Sequence, residues 1–214
     1  MESHVRGGTR WRRFAVVMVP SVAATAAIGV AIAQGALAAS FSVSGQQFKV
    51  TAKTLHGKGF EQYGALDVKQ DGKDKGDPSH YAPVAVSAFT DATIVGLCQS
   101  VVIPTPIGDV TLVLKAGPDK DHAVTAHNLY IDLDQLDADA VFHNINIGVA
   151  AGASGQPGPG IKAGDGADAS SFAQTAETAD LTNVKQTAWA TSAGTFRLAG
   201  LSLRLHMGSK SQCY

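Results

Sequence analysis

The sequence predicts an all-β protein, with a single sheet-rich domain preceded by one N-terminal apolar helix. Three observations support this class: apolar and polar residues alternate in several stretches, charged residues make up only 16% of the chain, and 23 glycines are available for turns. Alternation with a period of two is typical of strands with one buried face. Few charges and many glycines suit short strands joined by tight turns.

The first element, residues 1–39, has the features of an export segment. Four arginines (Arg6, Arg10, Arg12 and Arg13) precede an uncharged stretch, which ends in Ala36-Leu37-Ala38. A basic flank, an apolar stretch and an Ala-x-Ala end are typical of a signal peptide, here cleaved near Ala38. Alternatively, residues 14–33 are long enough to span the membrane and to remain as an anchor with a cytoplasmic N-terminus. Both interpretations export residues 40–214, and the sequence leaves the choice between them open.

The exported part is predicted to be one mildly acidic domain. Residues 40–214 contain 13 basic and 17 acidic residues, a net charge of −4. This length is sufficient for one hydrophobic core. The sequence has no cluster of basic residues that would indicate a nucleic-acid partner. It also has no glycine-rich motif for binding a phosphate or a dinucleotide, so no cofactor is expected.

Two cysteines, Cys98 and Cys213, are predicted to form a disulfide. They are the only cysteines in the chain, and an even count in an exported protein is typical of a disulfide framework. The bond would tie down the C-terminus, which otherwise frays.

Several body segments have strand periodicity, and a short motif recurs among them. Examples are residues 108–116 and 195–207, where apolar residues occupy every second position. The motif is an apolar residue, any residue, Gly or Asn, and another apolar residue; its Gly or Asn positions are Gly96, Asn128, Asn144, Asn183 and Gly200. Recurrence suggests stacked units, as in a β-solenoid. A sandwich or similar antiparallel packing stays the alternative.

Two polar segments are predicted to be mobile surface loops. Residues 69–80 are charged and contain Gly and Pro, and residues 152–171 are rich in Gly, Pro, Ser and Asp. Such compositions contain too little apolar surface to offset the entropy lost on ordering.

The aspartates of residues 130–140 are weak candidates for a metal site. The segment contains Asp132, Asp134, Asp137 and Asp139. Four neighbouring carboxylates can bind Ca²⁺, although the EF-hand pattern fails at its glycine and at its final glutamate. A solvated strand face explains the same residues. The histidines lack zinc-ligand spacing.

No catalytic motif is found. The nucleophile elbow G-x-S-x-G is absent, as is the alternation of strands and helices that carries it. Ser170, Ser171 and Ser192 stay formal candidates for a dispersed triad. A cysteine nucleophile is not expected, because Cys98 lies in an apolar run and Cys213 is next to the terminus.

Four stretches carry a resemblance to a known family: residues 8–50, "LCQSVV", "NLYIDLDQLDADA" and "VKQTAWATSAGTFRLAGL". The chain resembles an uncharacterised exported or membrane-associated family of filamentous, spore-forming actinobacteria. Some members carry the label cholesterol esterase. The resemblance implies an envelope protein and supplies no functional residues.

We therefore expect an exported, non-enzymatic envelope or surface protein that acts by binding or by assembly with itself or an envelope partner. The alternatives are a lipid or sterol-ester hydrolase, which rests on that label alone, and a lipid carrier with an apolar cavity. Trp189 is expected to be a core aromatic, with a binding anchor as the alternative.

Overall fold

The computed structural model describes residues 42–69 and 77–214. The predicted leader, its helix and its cleavage site lie outside the described residues, as do residues 70–76 of the charged loop. The described residues form nine strands: β1 (Ser42–Val43), β2 (Phe48–Lys69), β3 (Tyr81–Val95), β4 (Leu97–Thr105), β5 (Gly108–Ala116), β6 (Val124–His143), β7 (Asn146–Ala150), β8 (Phe172–Arg197) and β9 (Ser202–Met207). One short 3₁₀ helix, Pro78–His80, precedes β3.

All nine strands belong to one sheet, which confirms the all-β prediction. Eight strands follow the order β7-β8-β6-β3-β2-β4-β5-β9, with antiparallel pairing throughout, and β1 pairs with β2 in parallel. This finding confirms the antiparallel packing that was the alternative, and it corrects the solenoid-like stack and the two-sheet sandwich. Neighbouring strands run antiparallel rather than as parallel coils, and a single sheet rather than two builds the core.

The sheet closes on itself because β8 also pairs with β2. Strands β2, β3, β6 and β8 thus form a closed ring. In one direction around the ring, Leu55 of β2 pairs with Ile94 of β3, which pairs with Val124 of β6. In the other direction, Leu55 pairs with Leu181 of β8, which pairs with Ala140 of β6. The two directions therefore reach β6 at positions 16 residues apart, Val124 and Ala140. A large stagger means steeply inclined strands, which is how four long strands can enclose a core.

The interior of the ring is packed with small and medium apolar side chains. Phe89, Leu129 and Val124 are almost completely buried there, with several alanines of β8. The ring of Phe60 packs against those of Phe89 and Phe142, at centroid distances of 5.4 and 5.0 Å. A Cβ on Gly57 would overlap the Phe89 ring, so the close approach of β2 to this ring requires glycine.

The recurring Gly/Asn motif marks a backbone conformation rather than a repeated fold unit. All five positions have positive φ: 69° at Gly96, 48° at Asn128, 53° at Asn144, 54° at Asn183 and 64° at Gly200. Glycine and asparagine are the residues that adopt this conformation most readily. Gly96 separates β3 from β4, and Asn144 lies between β6 and β7.

The bend at Gly96 starts a part of the sheet that leaves the ring. Beyond it, β4 replaces β3 beside β2, with Ser100 opposite Lys49. β4 then pairs with β5, and β5 with the edge strand β9. These three strands, β4, β5 and β9, are called the extension below. The opposite end of the sheet is built similarly, because β7 replaces β6 beside β8.

Replacing Asn128 tests the role of these positions with positive φ. The exposed Asn128 interrupts the β6 registers with both β3 and β8. We expect Asn128→Gly to be nearly neutral and Asn128→Val to lower the free energy of unfolding by about 1–2 kcal/mol, the cost of a left-handed conformation with a Cβ. Urea unfolding measures both, and Thr125→Val on the same strand is the matched control. Equal stability of the glycine and valine variants would contradict this account of the motif.

Candidate functional site

The predicted disulfide between Cys98 and Cys213 is present in the structure. The two cysteines are separated by 115 residues, and the chain-entropy model gives a loop of about this length a stabilisation of roughly 4–5 kcal/mol. The backbone N–H of Cys213 also donates to Ser100 Oγ at 3.0 Å, and Lys49 Nζ donates to the Tyr214 carbonyl at 3.0 Å. The C-terminal tail is therefore held against β4.

The four candidate calcium ligands are not brought together. Asp132 is 1% exposed, whereas Asp134, Asp137 and Asp139 are exposed. Register shifts between Asp132 and Leu133 and again before Gln135 break the alternation that was predicted to place the first two on one face. Gln135 donates to Asp137, and Asn183 donates to Asp139. Within residues 42–69 and 77–214, no group of three His, Cys, Asp or Glu side chains is arranged to hold a metal ion.

Three histidines have their shortest contacts with exposed aspartates. His56 Nδ1 lies 2.6 Å from Asp180 Oδ1, and His127 Nδ1 lies 3.0 Å from Asp91 Oδ1. His122 contacts Asp119 in the same way, at 2.9 Å. All three pairs lie at the surface, where such contacts contribute little to stability.

Among the residues that the structure describes, none of the three candidate serines has a hydrogen bond to one of these histidine–aspartate pairs. Ser170 Oγ donates to Asp168 Oδ1, and the hydroxyls of Ser171 and Ser192 are buried without hydrogen-bond partners. Trp189 is half-buried beside the second core cluster, with Lys69 Nζ 5.4 Å from its ring centroid. A core position therefore describes Trp189 better than a free binding anchor.

A buried polar group, called the lysine cluster below, lies on the outer side of the ring. Its members are Tyr63 and Asp67 of β2, Asp132 of β6, and Lys162 and Asp165 of the segment between β7 and β8. Lys162 Nζ lies 3.2 Å from Asp132 Oδ2 and 3.1 Å from Asp165 Oδ1. Tyr63 Oη donates to Asp165 Oδ2 at 2.8 Å and accepts from the Lys162 backbone N–H at 2.9 Å. An ammonium group thus joins carboxylates from two parts of the chain.

The glycine- and proline-rich segment 151–171, called the strap below, is held over the sheet by this cluster and by further polar contacts. Glu61 Oε2 accepts from the Gly160 N–H at 2.9 Å, and Thr175 Oγ1 donates to Gln156 Oε1 at 2.8 Å. Apolar contacts come from Ala151, Ile161 and Ala167 in the second core cluster. The prediction of a surface loop is confirmed, since residues 152–171 contain no helix or strand and are exposed or half-buried. The loop is nevertheless attached to the sheet, because hydrogen bonds and an ion pair replace the missing apolar burial.

Burial shifts the pKa values of the carboxyl groups beneath the strap upward. For Asp67 burial is the largest cause, with nearby Asp132 adding to it and Lys162 opposing it, and the pKa rises to about 7. Burial also raises the pKa of Asp132 against the opposing effect of Lys162. The pKa of Glu61 is raised by burial and opposed by the hydrogen bond from Gly160.

The sequence signal for this cluster was weak. In the sequence, Asp132 is a candidate ligand because of its aspartate neighbours rather than because of a lysine. Lys162 and Asp165 stand in a segment whose composition indicated a loop, and a charged pair three residues apart is common in loops. Only the fold brings them to Asp132, which lies 30 residues from Lys162 along the chain.

A second feature is the apolar side of the extension, called the apolar face below, which packs against the ring core at Leu114 and is most exposed along β9. Directly paired residues of the three strands form three rows on this side: Gln99, Leu114 and Leu203; Val101, Leu112 and Leu205; Ile103, Val110 and Met207. Eight of these nine side chains are apolar. The β9 members are the most exposed, at 58% for Leu203, 67% for Leu205 and 69% for Met207, and Leu201 just before them is 54% exposed.

The interior of the ring leaves little free volume. One cavity of about 90 Å³ lies among Phe60, Phe89 and Leu181, and another of about 30 Å³ lies near Leu129 and Phe196. Small-molecule sites usually measure about 300–1,000 Å³. The ring interior is therefore a packed core.

Replacing Lys162 tests whether the lysine cluster holds the strap. We expect Lys162→Met to lower the free energy of unfolding by about 3–5 kcal/mol, because it leaves buried carboxylates without their cation. The strap of this variant should also become a site of early cleavage in limited proteolysis. The exposed Lys58→Met is the control. Unchanged protection of the strap would contradict the proposed role.

Replacing Asp67 tests the pH dependence. A carboxyl group whose pKa is higher in the folded state binds a proton more tightly when folded. It therefore stabilises the fold fully below the unfolded pKa of about 4 and loses this contribution as pH rises to about 7. The free energy of unfolding of the wild-type protein should fall between pH 4 and 7. Asp67→Asn should make this fall smaller by up to about 4 kcal/mol.

The free energy of unfolding of the Asp67 variant and of the wild-type protein is measured by urea unfolding across this pH range. The exposed Asp134→Asn is the control, and it should keep the wild-type slope. If the Asp67 variant and the wild-type protein have the same pH dependence, Asp67 is not the titrating group.

Comparison with known proteins places the chain in a family. Within residues 42–69 and 77–214, no helix has the length and hydropathy needed to cross a membrane. Searches of curated proteins and of solved structures find no match to the chain. A family model matches residues 44–214, which covers nearly all of the predicted exported domain. The chain belongs to DUF6230, a family of unknown function.

Proposed function

We propose that this protein is exported and acts by association rather than by catalysis, with a second copy of the chain covering the apolar face. Export is supported by the basic and apolar leader of residues 1–39 and by the Cys98–Cys213 disulfide, a bond typical of oxidising compartments. The protein then lies outside the cytoplasmic membrane, anchored through residues 14–33 or released near Ala38.

The apolar face is the observation that carries the association. A sheet with one apolar side is stable when a second layer covers that side. In the described part of the chain, Leu203, Leu205 and Met207 are each more than half exposed, so no such layer covers them. Two copies placed face to face would supply the layer, with their sheets about 10 Å apart.

The chemistry of the face favours a second copy over a lipid surface. Membrane-surface segments combine apolar residues with aromatic side chains and with Lys or Arg that meet anionic headgroups. The nine positions of the apolar face contain neither kind of residue. Lys115, Arg204 and His206 alternate with the apolar residues and so lie on the opposite side of the same strands. An uncharged face can meet its own copy without repulsion.

The expected strength of this association is modest. Fully burying a leucine or methionine side chain contributes about 1.5–3 kcal/mol. Covering the four exposed apolar residues of this segment (Leu201, Leu203, Leu205 and Met207) in both copies therefore contributes on the order of 10 kcal/mol. Association costs roughly 4–15 kcal/mol, so a dimer in the micromolar range is expected once the remaining rows are included.

Leu205→Lys tests the proposal. Sedimentation of the exported protein over a range of concentrations should show a monomer–dimer equilibrium, and Leu205→Lys should shift it at least tenfold toward monomer, because it places a charge in the middle row. Val141→Lys is the matched control, since Val141 is a strand residue, 56% exposed, outside the apolar face. A wild-type protein that stays monomeric would overturn the proposal. Monomers that bind uncharged phosphatidylcholine vesicles through Leu205 would assign the face to lipid instead.

A further inference from the structure

The side of the extension opposite the apolar face contains an open pocket of about 470 Å³, called the cationic pocket below. Its floor is formed by β5 and β9, with Lys115 paired to Ser202 and Val113 paired to Arg204. His206 lies in the next row, opposite Thr111. The volume is within the usual range for small-ligand sites.

The C-terminal tail forms the wall of this pocket through Ser211, Gln212 and Cys213. Several bonds hold the tail in place. Besides the disulfide to Cys98, the Gly208 carbonyl accepts from Thr111 Oγ1 at 2.6 Å, and the Gly208 N–H donates to the Asp109 carbonyl at 2.7 Å. A terminal segment that would otherwise fray is thereby made into a defined surface.

Three cationic or potentially cationic side chains point to the chemistry of the ligand. Among residues 42–69 and 77–214, Lys115, Arg204 and His206 have no hydrogen-bond or ion-pair partner, and no acidic side chain lines the pocket. The first acidic side chain along β5 on this side is Asp109, two residues before Thr111. These groups converge in a domain whose sequence has a net charge of −4.

The geometry points to a binding site for a phosphate group in the cationic pocket. The Arg204 guanidinium can donate two parallel hydrogen bonds to phosphate oxygens, and the Lys115 ammonium supplies a second charge. The hydroxyls of Ser202 and Ser211 supply neutral donors beside them. The phosphate is either free or carried on a lipid headgroup, since both present the same oxygens to the pocket. This site is independent of self-association, because it lies on the other side of the strands.

Arg204→Gln tests the site with two probes. The exported protein is titrated with inorganic phosphate by calorimetry, and with phosphatidylcholine vesicles containing phosphatidic acid by co-sedimentation. We expect binding of at least one probe, about tenfold or more weaker in Arg204→Gln, the loss typical of charge-assisted hydrogen bonds. Arg197→Gln, at an exposed arginine of β8 outside the pocket, is the matched control and should bind like the wild-type protein.

The two probes distinguish the sources of the phosphate, since binding of vesicles alone assigns the site to a lipid headgroup. The double variant Cys98→Ser/Cys213→Ser releases the tail wall and should weaken the same binding; should it fail to fold, the Arg204 comparison still decides. The proposal is overturned if neither probe binds, or if Arg204→Gln and Arg197→Gln bind equally well.

Discussion

The pairing of β8 with β2 is the constraint on which the rest of the structure depends. It converts a sheet of long strands into a closed ring, and Phe48 to Tyr63 of β2 are hydrogen-bonded to β8 along most of that length. Closure with so few strands demands a steep inclination and close backbone approach. Gly57 of β2 meets that demand, because a Cβ there would overlap the Phe89 ring. The completely buried alanines of β8 also take up little space.

The strap shows how a segment poor in apolar residues can still be ordered. Polar contacts hold it to the sheet. Lys162 forms ion pairs with two aspartates. The Gly160 N–H donates to Glu61, and Gln156 accepts a hydrogen bond from Thr175. A buried ion pair is weak as a source of net stability, since desolvation offsets most of the attraction. It is strong as a source of position, since a displaced Lys162 would leave carboxylates buried without a cation. The raised pKa of Asp67 is the cost of placing a further carboxyl group in the same surroundings.

The extension presents two different surfaces because successive side chains of a strand point to opposite sides. Leu203 and Leu205 lie on one side of β9 and Arg204 on the other. The disulfide and the C-terminal tail cover part of the cationic side and leave the apolar side open. Self-association and phosphate binding, as proposed, therefore use the same three strands without competing for the same atoms.

Local pattern in the sequence determined the class of fold, the disulfide and the positions of the bends. Alternation at β5 and β9 is a local property, and so is the preference of Gly96 and Asn128 for a left-handed backbone. The recurrence of this motif predicts a stacked repeat, which the described residues do not form. The tertiary structure alone decided which strands pair, because antiparallel neighbours such as β2 and β8 are far apart in the chain. It also decided that Asp132 meets Lys162 rather than the neighbouring aspartates. Hydrogen bonds and charges across such separations depend on register, and a one-residue shift of the kind seen at Leu133 moves a side chain to the other face.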